Sequence, residues 1–271
     1  MNGSDGFLSI AEEQQAELEV MKELHKYCSK HGLRYVLGYG TLLGAVRHNG
    51  FIPWDNDMDV LMPREDMDKL VELVQKDPIS PFVKIMDMTT NENYHYPIVR
   101  ACNMKTIVVN RELRDHIENM GLWVDIFPLD GISKAKQIIQ KPLTLFYIKM
   151  LNATMYISDT ESKSKTKFRK VIVKLFPDRN HKYERHLSSL VSWCKYDQAE
   201  TVCVLCEEGT DARQAMDRED VENPTLIQFE DAEFYIPRNY DKYLKKQYGD
   251  YMKLPPEEAR MTHLLNSKYI E

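Results

Sequence analysis

The chain has 271 residues, 43% of them hydrophobic, which is enough for an ordinary core and excludes a disordered protein. Its 42 acidic residues outnumber the 36 basic ones, so the net charge is -6 and no overall positive field exists to hold a polyanion; nucleic acid is not an expected partner. The amino terminus has no basic start leading into an apolar run, and no stretch reaches a charge-free membrane-spanning length, so a cytoplasmic protein is expected.

In chain order, Ser9 with Glu12 reads as a capping box, and Leu18, Met21 and Leu24 recur at helical spacing, which predicts a first helix over about 9–30 closed by Gly32. Arg34 to Leu37 reads as a short strand, Gly38 to Gly40 as a turn, and Thr41 as the cap of a short helix through about Arg47. His48, Asn49, Gly50 and Pro53 then break the pattern, and Asp57 to Met62 alternates with the period of a strand. A helix is expected from about Arg64 to Gln75, followed by strand-like runs at 82–87, 98–102, 106–109 and 122–127 and a turn around Pro128 and Gly131. From about 134 to 195 the composition is helical and free of glycine, and a last helix is expected from about Tyr240 to Tyr248, ended by Gly249. This amounts to one compact unit, a sheet-bearing half followed by a helical half.

Residues two apart in a strand point the same way, so Asp57 and Asp59 present paired carboxylates, with Asp55 at the same parity. Hard oxygen donors in such a pair suit magnesium, which takes one or two carboxylates plus substrate phosphate. The alternative is a solvated strand edge, but aspartates beside Val60, Leu61 and Met62 repel one another unless a cation or positive side chains relieve them. Upstream, Gly38, Tyr39, Gly40 and Thr41 lead into a helix whose free N–H groups can receive a phosphate. Asp125 sits alone inside an apolar strand, which calls for a metal, a hydrogen-bond network or a salt bridge, for example to Arg100 or Arg47.

Arg47 and Arg100 are candidates to clamp phosphate oxygens, and Trp123, Trp54 and Tyr39 are aromatic faces for a cationic head group. His48 and His95 have no spacing that recommends a role. The scattered cysteines suit reduced thiols, and Cys203 with Cys206 is a lone CxxC, weak as a zinc signal. Lys163, Lys165, Lys167, Arg169, Lys170 and Lys174 lie close to Val171, Ile172, Val173, Leu175 and Phe176, a solvated helix face or a site for anionic lipid at the cytoplasmic membrane face.

The run YGTLLGAVRHNGFIPWDNDMDV (39–60) strongly resembles the LicD family of phosphotransferases, to which fukutin-type proteins are related. The likeness continues through MPRED (62–66), VDIFPLD (124–130), YGDYM (248–252) and LPP (254–256). The resemblance implies an α/β (α+β) fold: a nucleotidyltransferase-like mixed sheet with flanking helices in a catalytic core over 1–133, and a mainly helical portion packed on it over 134–271. It also implies that Asp57 and Asp59 bind Mg2+, with Asp125 completing the acidic set, one or two ions being used and Mn2+ being an alternative. The implied reaction moves phosphocholine from CDP-choline, or a related CDP-linked donor, to a sugar hydroxyl of a cell-surface glycan, teichoic-acid-type or lipid-linked precursor. Nucleotidyl transfer from an NTP and non-catalytic nucleotide binding are the competing readings. Asn56 stands where the family commonly has another aspartate; its parity points it away from Asp57 and Asp59.

Overall fold

A computed structural model describes residues 6–91, 94, 96–109, 120–155, 170–171, 174–177, 181–206, 214–260, 262 and 265–270. Helix α1 (Ile10–His31) begins as expected: Ser9 N–H donates to Glu12 Oε2 at 2.7 Å while Ser9 Oγ accepts from Glu12 N–H, and Gly32 closes the helix at φ +63°, a conformation glycine adopts without steric cost. After β1 (Val36–Leu37) come α2 (Tyr39–His48), β2 (Met58–Pro63) and α3 (Arg64–Val74). Strands β3 (Val83–Met86), β4 (Val99–Asn103) and β5 (Thr106–Val108) precede β6 (Trp123–Gly131), and α4 (Lys134–Met155) follows.

The central sheet runs in the order β1-β2-β6-β4-β3, with β2 parallel to β6 and the other pairs on this path antiparallel. Its apolar side chains, among them Val60, Val124 and Ile126, are fully buried, and α1 packs on β4, β6 and β2 through a stripe that includes Val20, Met21 and Leu24. The mixed α/β class is therefore what the sequence leads one to expect.

Two boundaries differ. Strand β6 continues through Pro128 to Gly131, because its far end gains a partner in β7 (Thr201–Cys203), which pairs Cys203 with Asp130. Helix α2 starts at Tyr39 with Gly38 as its N-cap, so Thr41 lies in the first turn and does not cap it. The carboxyl-terminal half holds α5 (Lys182–Val191), β8 (Met216–Asp217), α6 (Arg218–Glu222) and α7 (Tyr240–Tyr248), which ends at Gly249 as the sequence predicts. It also contains a hairpin, β9 (Thr225–Phe229) with β10 (Ala232–Ile236), and β11 (Ser267–Tyr269), whose partner is β5 in the first half. All five cysteines are buried, and burial pushes the Cys28 and Cys102 thiols up to about 12, which makes them poor nucleophiles and ligands. Among the described residues no helix is long and apolar enough to cross a membrane.

Candidate active site

Strand register assembles the centre. Asp59 on β2 lies opposite Asp125 on β6, and Asp125 lies opposite Arg100 on β4. Directly opposed residues project to the same side of a sheet, so three adjacent strands set two carboxylates and a guanidinium in a row. Asp57 is one residue ahead of β2.

Asp125 is held on both oxygens. Arg100 Nε donates to Oδ1 at 2.7 Å and Trp123 Nε1 donates to Oδ2 at 3.0 Å. The Arg100 guanidinium also lies over the rings of Tyr96 and Trp123, at 4.1 and 4.4 Å from their centroids, and the Asp125 charge helps hold its pKa well above the usual value despite full burial. One face of Trp123 therefore already carries a cation.

The turn into α2 is tight. Tyr39 adopts φ +41°, a left-handed conformation that costs a side-chain-bearing residue about 1–3 kcal/mol and is met mostly at functional sites. A Cβ on Gly40 would come to 2.9 Å from Asp55 Oδ2, so the Asp55 carboxylate lies against the first turn of α2, where the helix dipole favours an anion. The proposed phosphate seat is thus shared with a carboxylate. Burial raises the pKa of Asp55, and hydrogen bonds to the Asp57 side chain and the Asn56 backbone offset part of that rise. The Thr41 hydroxyl accepts the Asp59 N–H at 2.8 Å and fixes the start of β2 against α2.

Helix α1 forms a wall that the sequence reading passed over. Gln14 Nε2 donates to the carbonyls of Ile52 and Asp55, and Glu13 accepts from Asn56 and Ser267 at 2.5 Å each. One turn on, Glu17 is 1% exposed and its Oε2 has no hydrogen-bond partner among the described residues. Burial, and then the charges of Asp57, Glu13, Asp125 and Asp59, drive its pKa well above the carboxylate range. The available signal was Glu13 and Glu17 on the helix stripe that also carries Met21 and Leu24, where a charged residue belongs only if something at the sheet requires it.

Of the other expected residues, Arg47 donates to the Tyr251 carbonyl at 2.9 Å and to His48 Nδ1 at 3.4 Å, and no ion pair between Arg47 and the acids is recorded among the described residues. The Trp54 ring has the Arg260 guanidinium over it at 4.6 Å from the centroid. Tyr248, at the end of α7, is exposed, and the charges of Asp59, Asp55 and Asp57 raise its pKa on top of burial of its hydroxyl end. His95 lies outside the described residues, as do Lys163, Lys165, Lys167 and Arg169 of the basic stretch. A cavity of about 870 Å³ between α3 and β3, lined by Asp68, Asp87 and Thr90 among others, contains none of the clustered acids.

Among the described residues no three His, Cys, Asp or Glu side chains form a group able to hold a metal ion by themselves. Two carboxylates with water and substrate oxygens are what magnesium ordinarily uses, so the oxygen donors of Asp57 and Asp59 fit it. The buried Glu17 Oε2, without a hydrogen-bond partner among the described residues and beside several other acids, is the observation that most favours a cation at this place.

The profile of the family described as "LicD/FKTN/FKRP, nucleotidyltransferase domain" matches residues 32–175, more than half of the chain. The chain is 28% identical over 270 residues to the lipopolysaccharide cholinephosphotransferase LicD of Haemophilus influenzae, covering 97% of this chain and 98% of that protein. It is also 29% identical over 110 residues to an uncharacterized protein of Rickettsia prowazekii, covering 41% of this chain and 39% of that one. The aspartate pair, Asp125 and Arg100 all lie inside the family match; the α1 wall lies outside it.

Proposed function

Because the chain belongs to the LicD/FKTN/FKRP nucleotidyltransferase-domain family, we propose that it transfers phosphocholine from CDP-choline to a sugar hydroxyl of a cell-surface glycan precursor, with magnesium as cofactor. The observation that carries this reading is the parallel register that sets Asp59 beside Asp125, with Asp57 two residues before Asp59. Near-complete alignment with a lipopolysaccharide cholinephosphotransferase supports phosphocholine as the transferred group and the glycan class of acceptor.

In the reaction, the acceptor oxygen bonds to the choline-bearing phosphorus, the bond from that phosphorus to the bridging oxygen breaks, and CMP leaves. A divalent ion would neutralise charge on the diphosphate, and Asp57 and Asp59 are the residues that would hold it. Asp125 takes the hydroxyl proton, kept in one orientation by Arg100 and Trp123. With one face of Trp123 covered by Arg100 and Arg260 over Trp54, the exposed ring of Tyr248 beside the acids is the aromatic face assigned to a quaternary ammonium.

Incubation with magnesium and a panel of CDP-linked compounds and NTPs tests the proposal. Release of CMP from CDP-choline is the expected result. Pyrophosphate from an NTP would replace it with nucleotidyl transfer, and nucleotide binding that ignores magnesium, with no product, would leave a non-catalytic module.

A further inference from the structure

Helix α4 buries Met150 and Leu151 near its end, but before them its polarity is inverted. The side chains it turns to the protein include Gln140 and Thr144, both 0% exposed, and Gln140 Nε2 is tied to the carbonyls of Leu190 and Val191 at the end of α5. The side chains it turns outward include large apolar ones: Ile138 is 80% exposed and Phe146 53%, with Ile139 and Leu143 beside them. An amphipathic helix on a water-facing surface has the opposite arrangement, and a contiguous exposed apolar face of this kind marks an interaction site.

The charge on this part of the molecule indicates what covers it. Residues 134–155 contain four lysines and no aspartate or glutamate, in a chain of net charge -6. Lys141 and Lys149 are exposed along the same helix. Lys136 donates to the Trp193 carbonyl and lies over the Trp193 ring, which is itself exposed. Lys170 and Lys174 accompany exposed Val171, Leu175 and Phe176 a little further along the chain. Along α4, exposed Ile, Leu and Phe interleaved with lysine, without acid, is the composition of a helix that lies in the headgroup layer of an anionic bilayer.

We propose that the outward face of α4 is a docking surface for an anionic lipid membrane, on which the protein sits peripherally. The inference does not depend on the reaction assigned above, although a lipid-linked acceptor would then be presented at the same surface. Each inserted apolar side chain strengthens partition, and each nearby lysine adds a salt-sensitive increment.

The test is flotation of the full chain with vesicles of phosphatidylcholine alone and of phosphatidylcholine with phosphatidylglycerol, at low and high salt. The wild type should float with the anionic vesicles, less so at high salt, and poorly with the neutral ones. The double variant Ile139→Gln with Phe146→Gln changes only exposed side chains, so it should fold normally and bind the anionic vesicles about tenfold or more weakly. Absence of flotation by the wild type, or equal flotation by the variant, would overturn the proposal. So would a wild-type dimer in solution that the variant dissolves, because the face would then belong to a second copy. CMP release in vesicle-free solution should be the same in both proteins, which separates failure of this surface from failure of the proposed reaction.

Discussion

Strand β6 carries two aspartates five residues apart, Asp130 buried and Asp125 half-buried, and they are neutralised in different ways. Asp130 accepts from Arg64 Nε at 2.5 Å and from Nη2 at 2.7 Å, a forked pair closed on both sides, with Asp130 1% and Arg64 9% exposed. Asp125 also has an arginine, but its second oxygen goes to Trp123, and around it stand Asp59, Asp57 and Glu17. At Asp130 one cation answers one anion. At Asp125 one guanidinium is shared by a carboxylate that stands among several other acids, an arrangement typical of functional sites, whereas a closed one-to-one pair is typical of structural ones.

The strongest way to break that contrast is Asp57→Ala. It should lower turnover on the order of 10³-fold while leaving the melting temperature unchanged or higher, since the charge removed is among the repelling set; unchanged CMP release would contradict the assignment. Asp130→Ala should do the reverse. Stranding Arg64 without its partner should cost about 3–5 kcal/mol in urea unfolding, because an unpaired buried charge remains. Asp125→Asn, measured alongside, should lose transfer at a much smaller cost in stability, and equal destabilisation of the two variants would erase the distinction.

A smaller effect tests the α1 wall. Glu17→Gln removes a buried carboxylate from the acid cluster and should stabilise the protein by ~1 kcal/mol at neutral pH, seen as a rise of about 2–4 °C on melting. The sign also sets a pH dependence. The folded pKa of Glu17 lies above its ordinary value of 4.5, so the native state keeps the proton longer and the stability linked to this group is lost as pH rises from about 4.5 through the folded value. The variant should flatten that part of the stability profile; an unaltered slope would mean that Glu17 does not face the acids. The smallest effect has the opposite sign. Burial lowers the pKa of His25, whose Nδ1 is 2.6 Å from the Tyr35 hydroxyl, so its contribution is present above about 6.5 and is lost as pH falls through the folded value. His25→Gln should reduce the loss of stability on acidification from pH 7, read by thermal melting.

Much of the first half was legible because its signals are local. Ser9 and Glu12 lie three residues apart, Gly32 stops the helix they start, and the alternation around Asp59 describes a strand whichever strand it pairs with. The strands after Thr201 were not legible. Strands β7 and β8 have three and two residues, too short to display a period, and β11 exists because β5, some 160 positions earlier, supplies its hydrogen bonds. The misplaced cap has the same cause. Thr41 looks like an N-cap until Asp59 N–H, eighteen residues away, takes its hydroxyl.

By itself, then, the sequence determined the α/β class, the aspartate pair, the glycine entry to α2 and the family likeness, since each depends on residues within a few positions of one another or on a contiguous run. Only the tertiary structure decided that Asp59 and Asp125 stand side by side, that Arg100 and Trp123 hold Asp125, that Asp55 occupies the α2 turn, and that Glu17 joins the acids from a helix outside the family match. The physical reason is register. Which strands pair, and at which residue, is settled by packing across the whole sheet, and a shift of one position would turn Asp125 to the opposite face.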